Sequence, residues 1–227
     1  MNKKVSVIDY GIGNILSVTR AFEHCGAEVR LVHTAEEILD SSFLVLPGVG
    51  AFADGMKGLR DRGFIEAIQQ YAKIGKPFLG ICLGMQMLFD ESEEFGHHEG
   101  LGLIPGKVAA IPRTDKNGKP HKVPHIGWNG LIPGKKKSWD HTILEGIKEG
   151  ECVYFVHSFT AQPLSEQHRL ADAYYNGRQI SAVASSGNIY GCQFHPEKSG
   201  TSGLRMIQNF LNLPAESENK TPFFLGV

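Results

Sequence analysis

A cysteine at a sharp break in an apolar segment has the surroundings of a nucleophile. The segment at 78–89 reads FLGICLGMQMLF, so Cys82 is framed by Gly80 and Gly84. A strand that turns abruptly into a helix needs small residues on both sides of the turn, as in the G-x-S-x-G nucleophile motif. The N-terminus of a helix behind Cys82 favours the reactive thiolate. Taken alone, the same residues fit equally well a buried structural cysteine beside two unrelated glycines.

A histidine and a glutamate near the end of the chain supply the groups that could activate this thiol. The segment at 191–198 reads GCQFHPEK and follows a strand-like pattern. In an extended chain, residues two apart face the same way, so His195 and Glu197 project together. A carboxylate can orient an imidazole, which in turn can activate a thiol. The spacing alone favours an ordinary strand end, but its combination with Cys82 favours a catalytic triad.

Thiol attack on an amide also requires donors for the oxyanion that forms on the carbonyl oxygen. The turn at Cys82 offers the backbone N–H of Leu83, and the glycine-rich loop at 47–50, PGVG, offers that of Val49. Backbone N–H groups fixed in advance stabilise such an oxyanion strongly. Glycine-rich loops are common, so the loop alone indicates little.

The alternation of strands and helices predicts a fold that brings these segments together. We expect an α/β protein with a doubly wound, mixed but largely parallel sheet flanked by helices, in which ligands bind at the carboxyl ends of the strands. Thr34, followed by Glu37, predicts the start of a short helix. The predicted strands are 4–9, 28–32, 42–47, 77–81, 154–159, 171–175, 179–186 and 189–195, and the predicted longer helices are 15–25, 56–74 and 204–211.

Composition excludes several functional classes. The chain has 227 residues, of which 41% are hydrophobic, and a formal net charge of -1, so no basic field indicates nucleic acid or a membrane surface. The apolar segments are all far shorter than a membrane span, and the first residues lack the pattern of a signal peptide. The cysteines are sparsely spaced, which predicts free thiols in a reducing compartment and a cytoplasmic protein.

The motifs taken together resemble those of a known family, the class I (triad-type) glutamine amidotransferases. Within it, they are most similar to the glutaminase subunits of imidazole glycerol phosphate synthases, which act in histidine biosynthesis. The resemblance extends to about Leu213, which implies an amidotransferase domain at 1–213 and a C-terminal tail at 214–227. The motifs that carry it are VSVIDYGIGN, LPGVGAF, GICLGMQ, GLGLIPG, VPHIGWN, YFVHSF and QFHPEKS.

The resemblance implies a mechanism and a set of site residues. Cys82 would attack the side-chain amide of L-glutamine, His195 would transfer the protons, and Glu197 would orient His195. The products are glutamate and ammonia, with no cofactor and no metal. By matching position, the residues that would bind glutamine are Gly50, Gln86, His157, Ser158 and Phe159.

The same resemblance implies an obligatory partner. Ammonia would pass to a cyclase subunit with a (βα)8 barrel, which makes imidazole glycerol phosphate and aminoimidazole carboxamide ribotide. Asn14, Trp128 and Lys198 match positions on the face that docks the cyclase, and Tyr154 matches an aromatic near the ammonia exit. No nucleic acid or membrane partner is expected.

Several alternatives stay open from the residues. The glutaminase subunit of another synthase would share the triad but not the partner, and a thiol sensor of the same fold would use Cys82 without acyl transfer. Without the resemblance, Trp128 is better explained as a core residue. Cys152 and Cys192 are expected to be core thiols. The basic run at 135–137 is expected to be a solvated loop.

Overall fold

The computed structural model of the protein describes residues 3–134 and 138–215. The basic run at 135–137 and residues 216–227 of the tail lie outside the described residues. Within the described part of the chain, none of the helices has the length and apolar character needed to cross a membrane.

Strands and helices alternate through the first half of the chain, and strands dominate the second half. The strands are β1 (Lys3–Ile8), β2 (Ala27–Val32), β3 (Phe43–Gly48), β4 (Phe78–Cys82), β5 (Phe89–Ser92), β6 (His98–Glu99), β7 (Ile104–Ala110), β8 (His125–Gly130), β9 (Ile132–Pro133), β10 (Cys152–His157), β11 (Phe159–Pro163), β12 (Arg169–Tyr175), β13 (Arg178–Ser186) and β14 (Ile189–Cys192). The helices are α1 (Ile15–His24), α2 (Ala35–Leu39), α3 (Phe52–Asp61), α4 (Phe64–Ile74), α5 (Leu83–Met87) and α6 (Gly200–Asn212).

The central sheet has the strand order β2-β1-β3-β4-β14-β13-β12-β9 within the described residues. The strands from β2 to β14 pair in parallel, whereas β13, β12 and β9 pair antiparallel. This confirms the predicted mixed sheet. Because side chains alternate along a strand, Val5 and Val7 pack with α1 and α6 on one face, while Ile8 packs with α2, α3 and α4 on the other. Both faces are therefore buried.

Two smaller sheets flank the central one, and sequence patterning missed much of both. One pairs β8 with β10, and the other has the order β11-β7-β5-β6. In β7 and β8, Gly106 and Gly127 adopt positive φ values of 137° and 146°. A glycine inside a strand interrupts the alternation of apolar and polar residues that marks a strand in a sequence. The β8–β10 pair carries two of the four residues expected to meet a partner, Trp128 and Tyr154.

Three helix boundaries can be compared with those predicted from the sequence. The capping box of α2 is confirmed, because Thr34 and Glu37 each bond the backbone of the other. The prediction of a single helix at 56–74 is wrong, because the segment forms two helices. Helix α3 begins at Phe52, and the helical conformation is interrupted at Gly63, whose φ of 69° is left-handed. A left-handed glycine ends one helix and lets the next start in a new direction. The final helix likewise begins at Gly200, four residues earlier than expected.

Candidate active site

Cys82 lies at the junction of β4 and α5, and its flanking glycines are required by close backbone contacts. Its φ of 54° and ψ of -108° are strained for a residue with a side chain, a cost of about 1–3 kcal/mol that is typical of functional sites. A Cβ at Gly84 would lie 1.8 Å from the Leu46 carbonyl oxygen, and one at Gly80 would lie 2.7 Å from the Gly84 oxygen. Only glycine fits at either position.

His195 and Glu197 form a buried pair beside Cys82. Strand β14 runs parallel to β4 with Cys192 opposite Ile81, so the residues that follow each strand meet at the same edge. The Nδ1–H of His195 donates to Oε1 of Glu197 at 2.7 Å, and the two side chains are 2% and 1% exposed. Burial by itself would lower the pKa of His195, but the neighbouring Cys82 and Glu197 outweigh it and raise this pKa to about 9. The imidazole therefore holds a proton at neutral pH.

The second ring nitrogen of His195 faces the thiol. The Nε2 atom is buried without a hydrogen-bond partner among the described residues, and Cys82 lies close enough to raise the pKa of the ring. The backbone holds His195 in place, since its N–H donates to the Tyr154 carbonyl oxygen at 3.0 Å and its own carbonyl accepts from the Ser199 hydroxyl at 2.7 Å. The structure thus brings together the three residues predicted to form a triad.

The loop expected to supply an oxyanion donor lies next to Cys82. Gly48, the last residue of β3, is the direct cross-strand neighbour of Cys82. Val49 lines the cavity in front of the thiol. The Tyr10 hydroxyl donates to the Pro47 carbonyl oxygen at 2.9 Å, and a Cβ at Gly48 would lie 2.6 Å from that hydroxyl. Sequence reasoning missed Tyr10, although it directly follows the strand end at Asp9.

A cavity of about 410 Å³ opens in front of Cys82. All of the predicted glutamine-binding residues line it, together with the predicted oxyanion donors and three residues that were not predicted, Glu94, Pro124 and Val156. The lining residues are Val49, Gly50, Cys82, Leu83, Gln86, Glu94, Pro124, Val156, His157, Ser158, Phe159 and His195. A larger depression of about 870 Å³ along α6 contains none of the predicted site residues. The first cavity is therefore the candidate active site.

Two buried polar side chains shape the wall of this cavity. Glu94 is 8% exposed and accepts the Phe52 backbone N–H at 2.6 Å, which leaves its second oxygen available. The Nδ1–H of His157 donates to the Phe159 carbonyl oxygen at 2.7 Å. Burial lowers the pKa of His157 to about 3, so this ring is neutral at physiological pH. The only charge on these two wall residues is therefore the negative charge of Glu94.

The residues expected at a partner interface fall on the surface around the strand ends. Trp128 is 55% exposed, so the alternative that it is a core residue is wrong. It lies opposite Tyr154 in the β8–β10 pair, with the ring centroids 5.9 Å apart. Lys198 is exposed, and the Asn14 side-chain oxygen accepts the Ser17 backbone N–H at 3.4 Å as the cap of α1.

The remaining cysteines differ from one another. Cys192 is fully buried as expected, and burial raises the pKa of its thiol. Cys152 is exposed at the first position of β10, so its expected place in the core is wrong. Within residues 3–134 and 138–215, no group of three or more His, Cys, Asp or Glu side chains is arranged to hold a metal ion.

Comparisons with known proteins identify the family and the fold of this chain. The family described as "Glutamine amidotransferase class-I" matches residues 6–213. The chain is 58% identical over 210 residues to "Imidazole glycerol phosphate synthase subunit HisH 1" of Legionella pneumophila, covering 92% of this chain and 99% of the relative. It is 46% identical over 206 residues to the subunit HisH of Sulfurimonas denitrificans, covering 91% and 96%. A structure titled "Structure of PurLQS from Thermotoga maritima" has a TM-score of 0.69 at 24% identity, covering 93% and 99%, which shows a shared fold.

Proposed function

The chain belongs to the class I glutamine amidotransferase family, and we propose that it is the glutaminase subunit of an imidazole glycerol phosphate synthase, acting in the cytoplasm. Residues 1–213 would form the amidotransferase domain, with a tail at 214–227. The observation that carries the proposal is that the buried Cys82 and His195 line a single cavity, with Glu197 hydrogen-bonded to His195. The high identity to subunits of that name supports the choice of synthase.

The geometry supports a two-step acyl transfer to the thiol. The Cys82 thiolate attacks the side-chain amide carbon of glutamine, and the His195 imidazolium protonates the leaving nitrogen, which departs as ammonia. A water molecule then gives a proton to the neutral His195 and attacks the thioester, which releases glutamate and the thiolate. Glu197 keeps the Nδ1 proton on His195, so that Nε2 faces the reacting atoms.

Both steps pass through a tetrahedral oxyanion. The N–H of Leu83, at the start of α5, and that of Val49 would stabilise it. Gly48 pairs directly with Cys82, and Val49 lines the cavity in front of the thiol, which supports this assignment. Such donors contribute most when they are fixed before the reaction.

The cavity wall supports recognition of an amino acid. The free oxygen of Glu94 is suited to the α-ammonium group, while neutral His157 adds no repelling positive charge. Gln86, Gly50, Ser158 and Phe159 would hold the rest of glutamine. The Gln86 amide is anchored at its nitrogen, which bonds the Phe159 carbonyl oxygen at 3.1 Å. Its oxygen is thereby left as an acceptor.

The partner would be a (βα)8 cyclase that receives the ammonia. Exposed Trp128 and Ile126 lie two residues apart on β8, so they share a face of this strand. Tyr154 beside Trp128 and Lys198 after the triad continue this surface to the active site. Asn14 would join it from the loop after β1.

Glutamate release tests the proposal directly. The purified chain would be incubated with glutamine alone, then with the cyclase, and then with the cyclase and its nucleotide ligand. Strong stimulation by the liganded cyclase, together with co-purification of the two chains, is expected. Stimulation by a different synthase instead would assign another partner. The absence of glutamate release under every condition would reject a glutaminase and favour a thiol sensor.

A further inference from the structure

We propose that Gln193 is a further catalytic residue, whose side-chain amide N–H stabilises the thiolate of Cys82. The inference rests on the proposed function, because it takes Cys82 as the nucleophile. Gln193 is fully buried and directly follows β14, two residues before His195. Its Nε2 atom lies 3.9 Å from the Cys82 Sγ, within the range of an N–H···S hydrogen bond.

The backbone fixes where this side chain stands. The Gln193 N–H donates to the Ala182 carbonyl oxygen at 2.9 Å, which continues the pairing of β13 with β14 beyond the end of β14. The backbone of Gln193 is thereby fixed at the end of β14, and its side chain reaches the Cys82 Sγ at the end of the neighbouring strand β4. A fully buried amide must find partners for both of its ends.

Neighbouring groups determine which end of the amide faces the sulfur. The Gln86 Nε2 group lies 3.1 Å from both the Phe159 carbonyl oxygen and the Gln193 Oε1 atom. Because a carbonyl oxygen can only accept, the nitrogen of Gln86 must face Phe159, and it then donates to the oxygen of Gln193 as well. The nitrogen of Gln193 is therefore turned toward Cys82, and the orientation does not depend on an arbitrary choice of amide flip.

The titratable groups around Cys82 explain what a neutral donor adds. His195, backed by Glu197, faces the thiol from the end of β14, and Tyr10 approaches from the end of β1. Glu94 and His157 line the same cavity, whereas β3 and α5 contribute no titratable side chain. In the free enzyme, the positive charge of His195 beside the thiolate is lost as the pH rises through the pKa of this ring, about 9. The Gln193 donor does not titrate, so it stabilises the thiolate in both protonation states of His195.

Alkylation of Cys82 measures this effect without glutamine or a partner. The full chain is treated with iodoacetamide as a function of pH, and each cysteine is followed by peptide mass spectrometry. Gln193→Met should slow alkylation of Cys82 at neutral pH by about tenfold, as expected for loss of a hydrogen bond to a charged group. The midpoint of the pH dependence of this alkylation rate should move to higher pH. Exposed Cys152 in the same molecules is the internal control and should be unaffected.

Two further variants make the test decisive. Gln69→Met removes an amide that bonds the Leu101 carbonyl oxygen far along the chain, and it should leave the Cys82 profile unchanged. Gln193→Glu keeps the shape of the side chain but replaces the donor with a carboxylate, so it should slow alkylation of Cys82 even if Gln193→Met does not fold. A folded Gln193→Glu variant with the wild-type profile would overturn the proposal. Failure of the wild type to hydrolyse glutamine would instead reject the glutaminase assignment. The alkylation result would still test the contact between Gln193 and Cys82, because the assay needs no glutamine.

Discussion

The Nδ1 atom of His195 and the Oε1 atom of Glu197 lie 2.7 Å apart, and both side chains are almost completely shielded from water. Few exposed pairs would hold a proton so firmly, since solvent weakens charge interactions at a surface. Here burial disfavours the imidazolium, while Cys82 and Glu197 favour it more strongly, and the pKa of His195 is raised to about 9. The pair therefore decides the pH range over which the leaving nitrogen of glutamine can be protonated.

Glu197→Gln should move the alkaline limit of glutaminase activity to lower pH. The variant removes one of the two groups that raise the pKa of His195, so the imidazolium is lost earlier as pH rises. The pH profile of kcat for the stimulated complex measures this limit. Glu145→Gln, at an exposed carboxylate far from the cavity, provides the matched control. An alkaline limit that stays in place in Glu197→Gln would show that His195 is not the titrating acid.

Folding stability gives an independent measure of the same pair. The pKa of His195 is raised above its unfolded value of about 6.5, so the protonated ring stabilises the folded state fully below that pH. This contribution is lost as pH rises through about 9. Denaturant unfolding should therefore show the excess stability of the wild type over Glu197→Gln shrinking across this window.

Cys82→Ser should abolish glutamine-dependent synthesis by the complex while sparing synthesis from added ammonia. A serine at the same turn is a far weaker nucleophile than a thiolate, whereas free ammonia bypasses this subunit. Both rates are measured on one preparation of the complex, so the ammonia-dependent rate is the control for assembly. Retained glutamine-dependent turnover in the serine variant would contradict the role of Cys82.

The residues of the triad could be predicted from sequence because each belongs to a local motif. Cys82 stands between two glycines, and Glu197 follows His195 at the spacing of a strand. Glu94 and Gln193 could not be predicted in the same way. Their polar contacts join residues 42 and 111 positions apart. The spacing of a strand puts Gln193 on the same side as His195, but it does not indicate a contact with Cys82.

Errors in the fold have equally specific causes. Apolar periodicity continues from α3 into α4, so only the left-handed Gly63 reveals that one expected helix is two. Without the resemblance, Trp128 is predicted to be a core residue because large aromatic side chains usually are buried. The pairing of β8 with β10 leaves it exposed instead. Local pattern predicts which elements form, whereas the face that an edge strand presents depends on tertiary contacts.

Trp128→Ala should weaken binding of the cyclase by about 2 kcal/mol or more, as expected of an aromatic hot spot. The side chain is 55% exposed in the free subunit, so the free energy of unfolding should change by no more than about 0.5 kcal/mol. Titration against the cyclase and denaturant melts separate the two quantities. Leu164→Ala removes an even more exposed apolar side chain, which follows β11, and it should leave binding unchanged. Equal affinity of Trp128→Ala and wild type would exclude Trp128 as an anchor.

Tyr10→Phe should loosen the loop that carries the oxyanion donor. The lost hydroxyl bonds the Pro47 carbonyl oxygen directly before Gly48, so the Gly48–Val49 peptide gains freedom to reorient. We expect glutamine turnover by the stimulated complex to fall several-fold, because an oxyanion donor contributes most when it is fixed before the reaction, and stability to fall by about 1 kcal/mol. Steady-state rates with liganded cyclase and denaturant melts of the free subunit measure the two effects. A destabilised variant with wild-type turnover would show that Tyr10 supports only the fold.

Val49→Pro should cut stimulated glutamine turnover by roughly 10²–10³, because proline lacks the N–H that is proposed to stabilise the oxyanion. Alkylation of Cys82 and binding of the cyclase should both survive, since neither depends on that N–H. Proline also restricts the residue before it, but that residue is Gly48, which has no side chain to clash. Val49→Ala keeps the N–H and trims the same half-exposed side chain, so it should retain turnover and separates loss of the donor from loss of packing. Wild-type stimulated turnover in a folded, partner-binding Val49→Pro variant would exclude this N–H as an essential donor and leave Leu83 as the remaining predicted one.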